Sequence, residues 1–301
     1  MTTGDALLDF ALSLRSEALT PIMKGISAAG SAAAYLVLVA LIYWVLSRRV
    51  GILLIGAGAV ASSVTVVTKD LLAWPRPPNS GETVWLSDPD TPNAFPSGHA
   101  TASAVTTFGA AAHVGTVLAF VLAAGATFAV SFSRLYLGLH STADVAAGAV
   151  VGAGLAVAAV ALRPRFEALW QRLTVNQRAL LGAIFLLPVA INQTPPAIII
   201  CFAAAGAVVG HALASGRPPP IATGDPRKLP AFGAMRAFIG LPVLIALGLL
   251  LGDPTESPAA FVAGRFALVG LFVTYIGPRI FAHVEAALPW GEGLQKRRPS
   301  H

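Results

Sequence analysis

The chain has 301 residues, 55% of them hydrophobic and only 11% charged, with a formal net charge of +6. A mean hydropathy of +0.73 excludes a water-soluble domain of this length and places the chain among integral membrane proteins. The basic excess then bears on topology, because Lys and Arg beside membrane spans mark the cytoplasmic side; it does not point to nucleic acid.

Residues 1–25 open the chain with a helical spacing of apolar positions (Leu7, Leu8, Phe10, Ala11, Leu14) interleaved with Asp9, Arg15 and Glu17, which predicts an interfacial helix over Asp5 to Thr20. Asp5 and Asp9 stand where a cleavable signal peptide would carry positive charge, so none is expected. Crossing the hydrocarbon takes about 20 apolar residues. That length predicts spans at Ile26 to Leu46, Val50 to Ala73, Ser97 to Ala112, Val114 to Phe132, Thr142 to Leu162, Ala179 to Ile191, Ala197 to Ala214, Phe238 to Leu251 and Ala259 to Ala282. The expected fold is an all-α polytopic membrane helix bundle of about nine transmembrane helices. Ala179 to Ile191 and Phe238 to Leu251 are short for a full crossing, and the readings of a tilted, a longer and a re-entrant segment all stand. Pro-rich connectors at Pro218 to Pro220 and Pro254 to Pro258 cannot continue a helix and mark loops. Cys201 is the single cysteine, so no intrachain disulfide can form.

With nine spans the basic segments (Arg48 and Arg49; Arg163 to Arg178; Arg217 to Arg236; Lys296 to Arg298) fall on one side, and the acidic connector of Asp253 and Glu256 on the other. The positive-inside rule then predicts an extracytoplasmic N-terminus and a cytoplasmic C-terminus. The same parity puts Lys69, Ser97, Arg134 and His140 together on the extracytoplasmic face.

These residues form three polar stretches at span ends. In Lys69-x₆-Arg76-Pro77 the flanking prolines hold Arg76 extended, so that its guanidinium can turn back toward Lys69 and share one anion with it. For Lys69 alone, snorkelling to headgroups explains as much. In Pro96-Ser97-Gly98-His99, Ser97 can cap a helix and Gly98 can let a ligand approach the free amides at its positive end. An ordinary capped span would explain Ser97 and Gly98 equally, but not His99. In Ser133-Arg134-x₅-His140-x₃-Asp144 the carboxylate lies four residues beyond the histidine, on the same helical face. It can accept one ring N–H and leave the other nitrogen for chemistry. A structural His–Asp pair is the alternative, and the nearby Arg134 weighs against it because ionisable groups at membrane depth are costly. Asp70 reads as a site residue or a neighbour, and the linker Asn79 to Asn93, with Glu82, Asp88 and Asp90, as a lid or a solvated loop. His113 and His211 read as interface residues. No Cys/His/carboxylate cluster at zinc-ligand spacing and no nucleotide-type phosphate loop is present, so no metal and no cofactor are expected.

Together the three stretches resemble the signature of the type 2 phosphatidic acid phosphatase superfamily, which shares its site with vanadium-dependent haloperoxidases and glucose-6-phosphatase, and they match it at every position. The resemblance covers about Ile26 to Leu162. It implies a phosphatase core at 26–165 in the first five spans, followed by additional helices at 166–290 and a basic tail at 291–301. It also implies a metal-independent phosphatase in which His140 attacks phosphorus, Asp144 orients it and His99 protonates the leaving oxygen. Lys69, Arg76, Arg134, Ser97 and the Gly98 amide would hold the phosphoryl oxygens. A site at membrane-surface depth points to a lipid phosphate or prenyl diphosphate as substrate, with the bilayer as partner and no nucleic acid. The other readings are a phosphatase or phosphotransferase acting on a soluble sugar phosphate and, in another class, an anion or lipid transporter. The sequence leaves the oligomeric state open.

Overall fold

The structure, a computed structural model, describes residues 4–77, 93–191, 194–214, 229–249 and 257–287. The lid reading of Asn79 to Asn93 (apart from Asn93), the basic residues from Arg217 to Lys228, the acidic connector of Asp253 and Glu256 and the tail 291–301 lie outside the described residues. In chain order the helices are α1 (Ala6–Ser13), α2 (Leu19–Ala28), α3 (Ala32–Leu41, continued by a π turn Ile42–Leu46), α4 (Arg48–Leu72), α5 (Gly98–Val114), α6 (Val117–Tyr136) and α7 (Thr142–Ala161). Then come α8 (Arg163–Arg172), α9 (Val175–Ile184), α10 (Leu187–Ile191), α11 (Pro195–Ala214), α12 (Leu229–Leu249), α13 (Ala259–Leu271, continued by a π turn Phe272–Ile276) and α14 (Gly277–Ala287). The protein is all-helical among the described residues.

The helix starts follow local chemistry. Ser31, Ser47, Ser97, Thr116, Ser141 and Thr174 each cap the helix that follows by accepting a backbone N–H at its third position, which satisfies an otherwise orphaned donor. Asp5 does the same for α1.

Six helices among the described residues are long and apolar enough to cross a membrane: Arg48–Leu72, Val117–Tyr136, Thr142–Ala161, Pro195–Ala214, Ala231–Gly248 and Ala259–Ala287. A seventh arises if α2 and α3, bent by 58° at their junction, count as one span. The expectation of about nine also included α5 and the segment of α9 and α10. With 17 residues, α5 is about 26 Å long against a hydrocarbon core of about 30 Å, and Val175–Ala190 is a short, broken stretch. Three other expectations change in detail. The interfacial helix is two helices, α1 and α2, because Arg15 and Ser16 turn inward between them to bond Tyr136. The span drawn from Ile26 breaks where Ser31 starts α3 anew. The span drawn from Phe238 begins earlier, at Leu229, with Pro242 inside it.

Two contacts bring the polar stretches to one end of the bundle. Gly148 and Gly152, four residues apart on α7, face α5 so closely that an added Cβ at Gly148 would stand 2.5 Å from the Ser97 carbonyl, and one at Gly152 would run into that of Thr101. Only helices with such small residues at the crossing can lie this close. The Ser97 amide also donates to the Asp144 carbonyl at 2.9 Å, joining the start of α5 to the first turn of α7. Below this end, Tyr35, Val39, Leu54, Val105, Ala156 and Ala204 form one apolar core shared by α3, α4, α5, α7 and α11.

Candidate active site

Lys69 lies in the last turn of α4 and is 8% exposed. Its ammonium donates to the carbonyls of Asn93 at 2.7 Å and Ala94 at 3.1 Å, while the Asn93 side-chain amide donates back to the Lys69 carbonyl at 3.0 Å. The chain returning toward α5 is thereby fastened to the end of α4. Arg76 Nη1 donates to the Leu139 carbonyl at 2.9 Å, which joins that segment to the turn leading to His140. Charge-assisted bonds of this kind hold long cationic side chains in place before any ligand arrives.

The turn itself is anchored on both sides. Arg134, 1% exposed near the end of α6, donates through Nη1 to the Ser27 hydroxyl of α2 at 3.0 Å. His140, 2% exposed, has Nδ1 3.5 Å from Asp144 Oδ2, in ion-pair range. The same oxygen accepts the Ser141 amide at 2.7 Å, and the Asp144 amide donates to the Ser141 hydroxyl at 3.2 Å. This reciprocal capping box fixes the carboxylate, and with it the edge of the imidazole that turns toward it. Beyond it stands a second carboxylate. Asp5 accepts the Thr142 amide at 2.7 Å and the Thr142 hydroxyl at 2.6 Å, and also caps α1 through the Leu8 amide at 3.1 Å. Burial pushes the Asp5 pKa up, but the bonds from Thr142 and the α1 amides outweigh it and leave the group below its ordinary value.

A cavity of about 330 Å³ joins these parts. Lys69, Arg76, Gly98, His99 and His140 line it at the end where the motifs meet. From there it follows α4 past Thr65 and Ala61 to Gly58, about 16 Å along the helix, between apolar walls that include Tyr35, Val105, Ile199 and Ile200. No Asp or Glu lines it among the described residues, and the first turn of α5, with Gly98 and His99, lies at its cationic end, where the helix dipole favours an anion. The arrangement attracts an anion at one end and an apolar group along the rest.

Of the residues expected from the sequence, five line this cavity and three stand behind it. Ser97 is fully buried with its hydroxyl turned to the α5 cap, Arg134 bonds Ser27, and Asp144 supports His140. Asp70 is exposed and does not line the cavity. His211, read from the sequence as an interface residue, has Nδ1 3.1 Å from the Tyr43 hydroxyl. Among the described residues no three His, Cys, Asp or Glu side chains gather where a metal could be held. Sequence reasoning missed Asp5, Ser27 and the α11 residues Ile199 and Ile200, whose partners lie far away in the chain.

Residues 50–168 match the family model of the PAP2 superfamily. This stretch is a PAP2 superfamily segment. It contains all eight residues singled out from the sequence, and the members of the superfamily are phosphatases, commonly of membrane lipids. Neither the curated proteins nor the solved structures supply a match. Asp5, Ser27, Tyr35, Ile199 and Ile200 all lie outside the PAP2 stretch, so the site and its walls draw on parts of the chain that the family model does not cover.

Proposed function

We propose that the protein is an integral membrane phosphatase that hydrolyses a lipid phosphate or prenyl diphosphate through a phosphohistidine intermediate. One observation carries the reading: a single cavity holds two cations and two histidines at one end and apolar walls along the rest. That shape complements an amphiphile whose phosphate meets the charges and whose tail follows α4.

The first step is in-line attack. The His140 nitrogen turned away from Asp144, Nε2, forms an N–P bond as the bond from phosphorus to the lipid oxygen breaks, and His99 gives that oxygen its proton. Lys69, Arg76 and the Gly98 amide hold the phosphoryl oxygens while charge builds on them. Arg134 and Ser97 support this end from behind, and Asp144 stabilises the imidazole as it becomes positively charged. In the second step a water oxygen attacks phosphorus and gives a proton to His99. The N–P bond then breaks, inorganic phosphate leaves and His140 is regenerated.

The placement of charge supports an extracytoplasmic site. Arg48 and Arg49 start α4 and Arg163 follows α7, so these basic residues lie at the opposite end of both helices from Lys69 and His140. The decisive experiment is release of inorganic phosphate from lipid phosphates by the purified chain. His140→Ala should abolish turnover, and His99→Ala should lower it about 10²–10⁴-fold; undiminished turnover in both variants would overturn the proposal. A substrate series separates lipid from soluble phosphates, because only a lipid phosphatase gains kcat/KM as the tail lengthens.

A further inference from the structure

At the other end of α4, about 32 Å from Lys69 along the helix axis, lies a second and larger hollow of about 1050 Å³. Its walls are apolar, formed by Ile52 and Leu53 of α4, Leu155 of α7, Phe166 of α8 and Phe185 after α9. Arg48, Arg49 and Arg236 stand at its edge.

Among the described residues the charges at this edge do not balance. Arg236 is bound to Glu285 at 2.7 Å and to the Trp44 carbonyl at 2.8 Å. Glu167 is shared by Arg49 at 3.6 Å and Arg163 at 3.8 Å. Arg48 is half-buried and has no hydrogen bond or ion pair among the described residues. Among the described residues four guanidiniums thus share two carboxylates. A half-buried cation whose acidic neighbour, Glu285, is already bound to Arg236 is costly at a membrane surface, and so is a large apolar hollow left to water.

One kind of molecule resolves both costs. We infer that this hollow binds one anionic phospholipid, its phosphate on Arg48 and its acyl chains against Leu53 and Phe185, from the leaflet opposite the phosphatase site. The arrangement beside it fits a membrane surface: α8 has no buried residue, a Pro in its first turn and Trp170 on the edge of the hollow. An interfacial helix with an aromatic anchor looks like this. Basic clefts between membrane helices are a recognised setting for anionic headgroups. The inference stands independently of the phosphatase reading.

The test is native mass spectrometry of the full chain released from nanodiscs of phosphatidylcholine with a minor share of phosphatidylglycerol. One phosphatidylglycerol per chain should be retained in preference to phosphatidylcholine. Arg48→Gln should lower that retention about fivefold, while Arg48→Lys should keep most of it. Leu53→Trp, which fills the hollow without changing charge, should lower it as well. Arg165→Gln, at an exposed residue of α8 that does not line the hollow, should leave it unchanged. Equal retention of the two lipids, an equal fall in Arg48→Gln and Arg165→Gln, or full retention in Leu53→Trp would each overturn the inference. Should Arg48→Gln fail to fold, Arg48→Lys and Leu53→Trp together decide it.

Discussion

His140 and Asp144 are held by local bonds, and Asp5 adds a long-range one. In the proposed mechanism Asp144→Asn keeps the shape of the capping box but loses the charge that favours a cationic imidazole, so kcat should fall about 10²-fold or more with KM little changed. Asp5→Ala should lower the melting temperature by a few degrees, because it removes the α1 cap, worth about 1 kcal/mol, and the Thr142 bonds with it. The pH dependence has a definite sign. Since the folded-state pKa of Asp5 lies below the ordinary 3.8, its contribution is complete above that value and is lost as pH falls through the folded one. Thermal melts of wild type and Asp5→Ala should therefore differ by a constant amount above pH 3.8 and draw together only as pH falls below it, through the lowered folded-state pKa. The spacing of His140 and Asp144 made their pairing legible in the sequence, because both lie on one turn. The bonds of Asp5 to Thr142, 137 residues away, left no such trace.

Helix contacts decide where the motifs meet. Gly152→Leu would drive a side chain into the Thr101 carbonyl and force α5 from α7, and such overpacking typically costs 1–3 kcal/mol. Because the Ser97 to Asp144 backbone bond spans the same crossing, activity should fall along with the melting temperature. Ile200→Trp tests the other wall of the first cavity: kcat/KM should drop about tenfold or more for long-tailed substrates and stay nearly constant for a short, water-soluble phosphate ester. The start of α5 was legible because its Ser97 cap is a local signal. The break between α2 and α3 was not. Gly30 sits there with the His99 carbonyl 2.9 Å from where its Cβ would be, a constraint set by a helix far along the chain. The early start of α12 was also hidden, since Arg236 interrupts its apolar run with a charge whose inward partner, Glu285, lies far along the chain.

Across the whole molecule the two cavities lie toward opposite ends of α4, and the proposed topology turns the catalytic one to the extracytoplasmic side. Single cysteines test this against a silent background, because Cys201 is fully buried. A membrane-impermeant thiol reagent applied to intact cells should label Trp74→Cys but not Arg165→Cys, and permeabilisation should expose the second; the reverse pattern would invert the topology. The apolar composition made a multi-pass bundle legible, but not which spans would touch. Residues 166–290 read as an appendage to the phosphatase core, whereas α11 is the most enclosed of the six candidate spans and contributes Ile199 and Ile200 to the cavity. A fragment ending at residue 168, where the PAP2 match stops, would therefore be no minimal enzyme. Acyl chains of the surrounding bilayer would flood the seam left by α11, and the excised piece should come out of the membrane aggregated and inert.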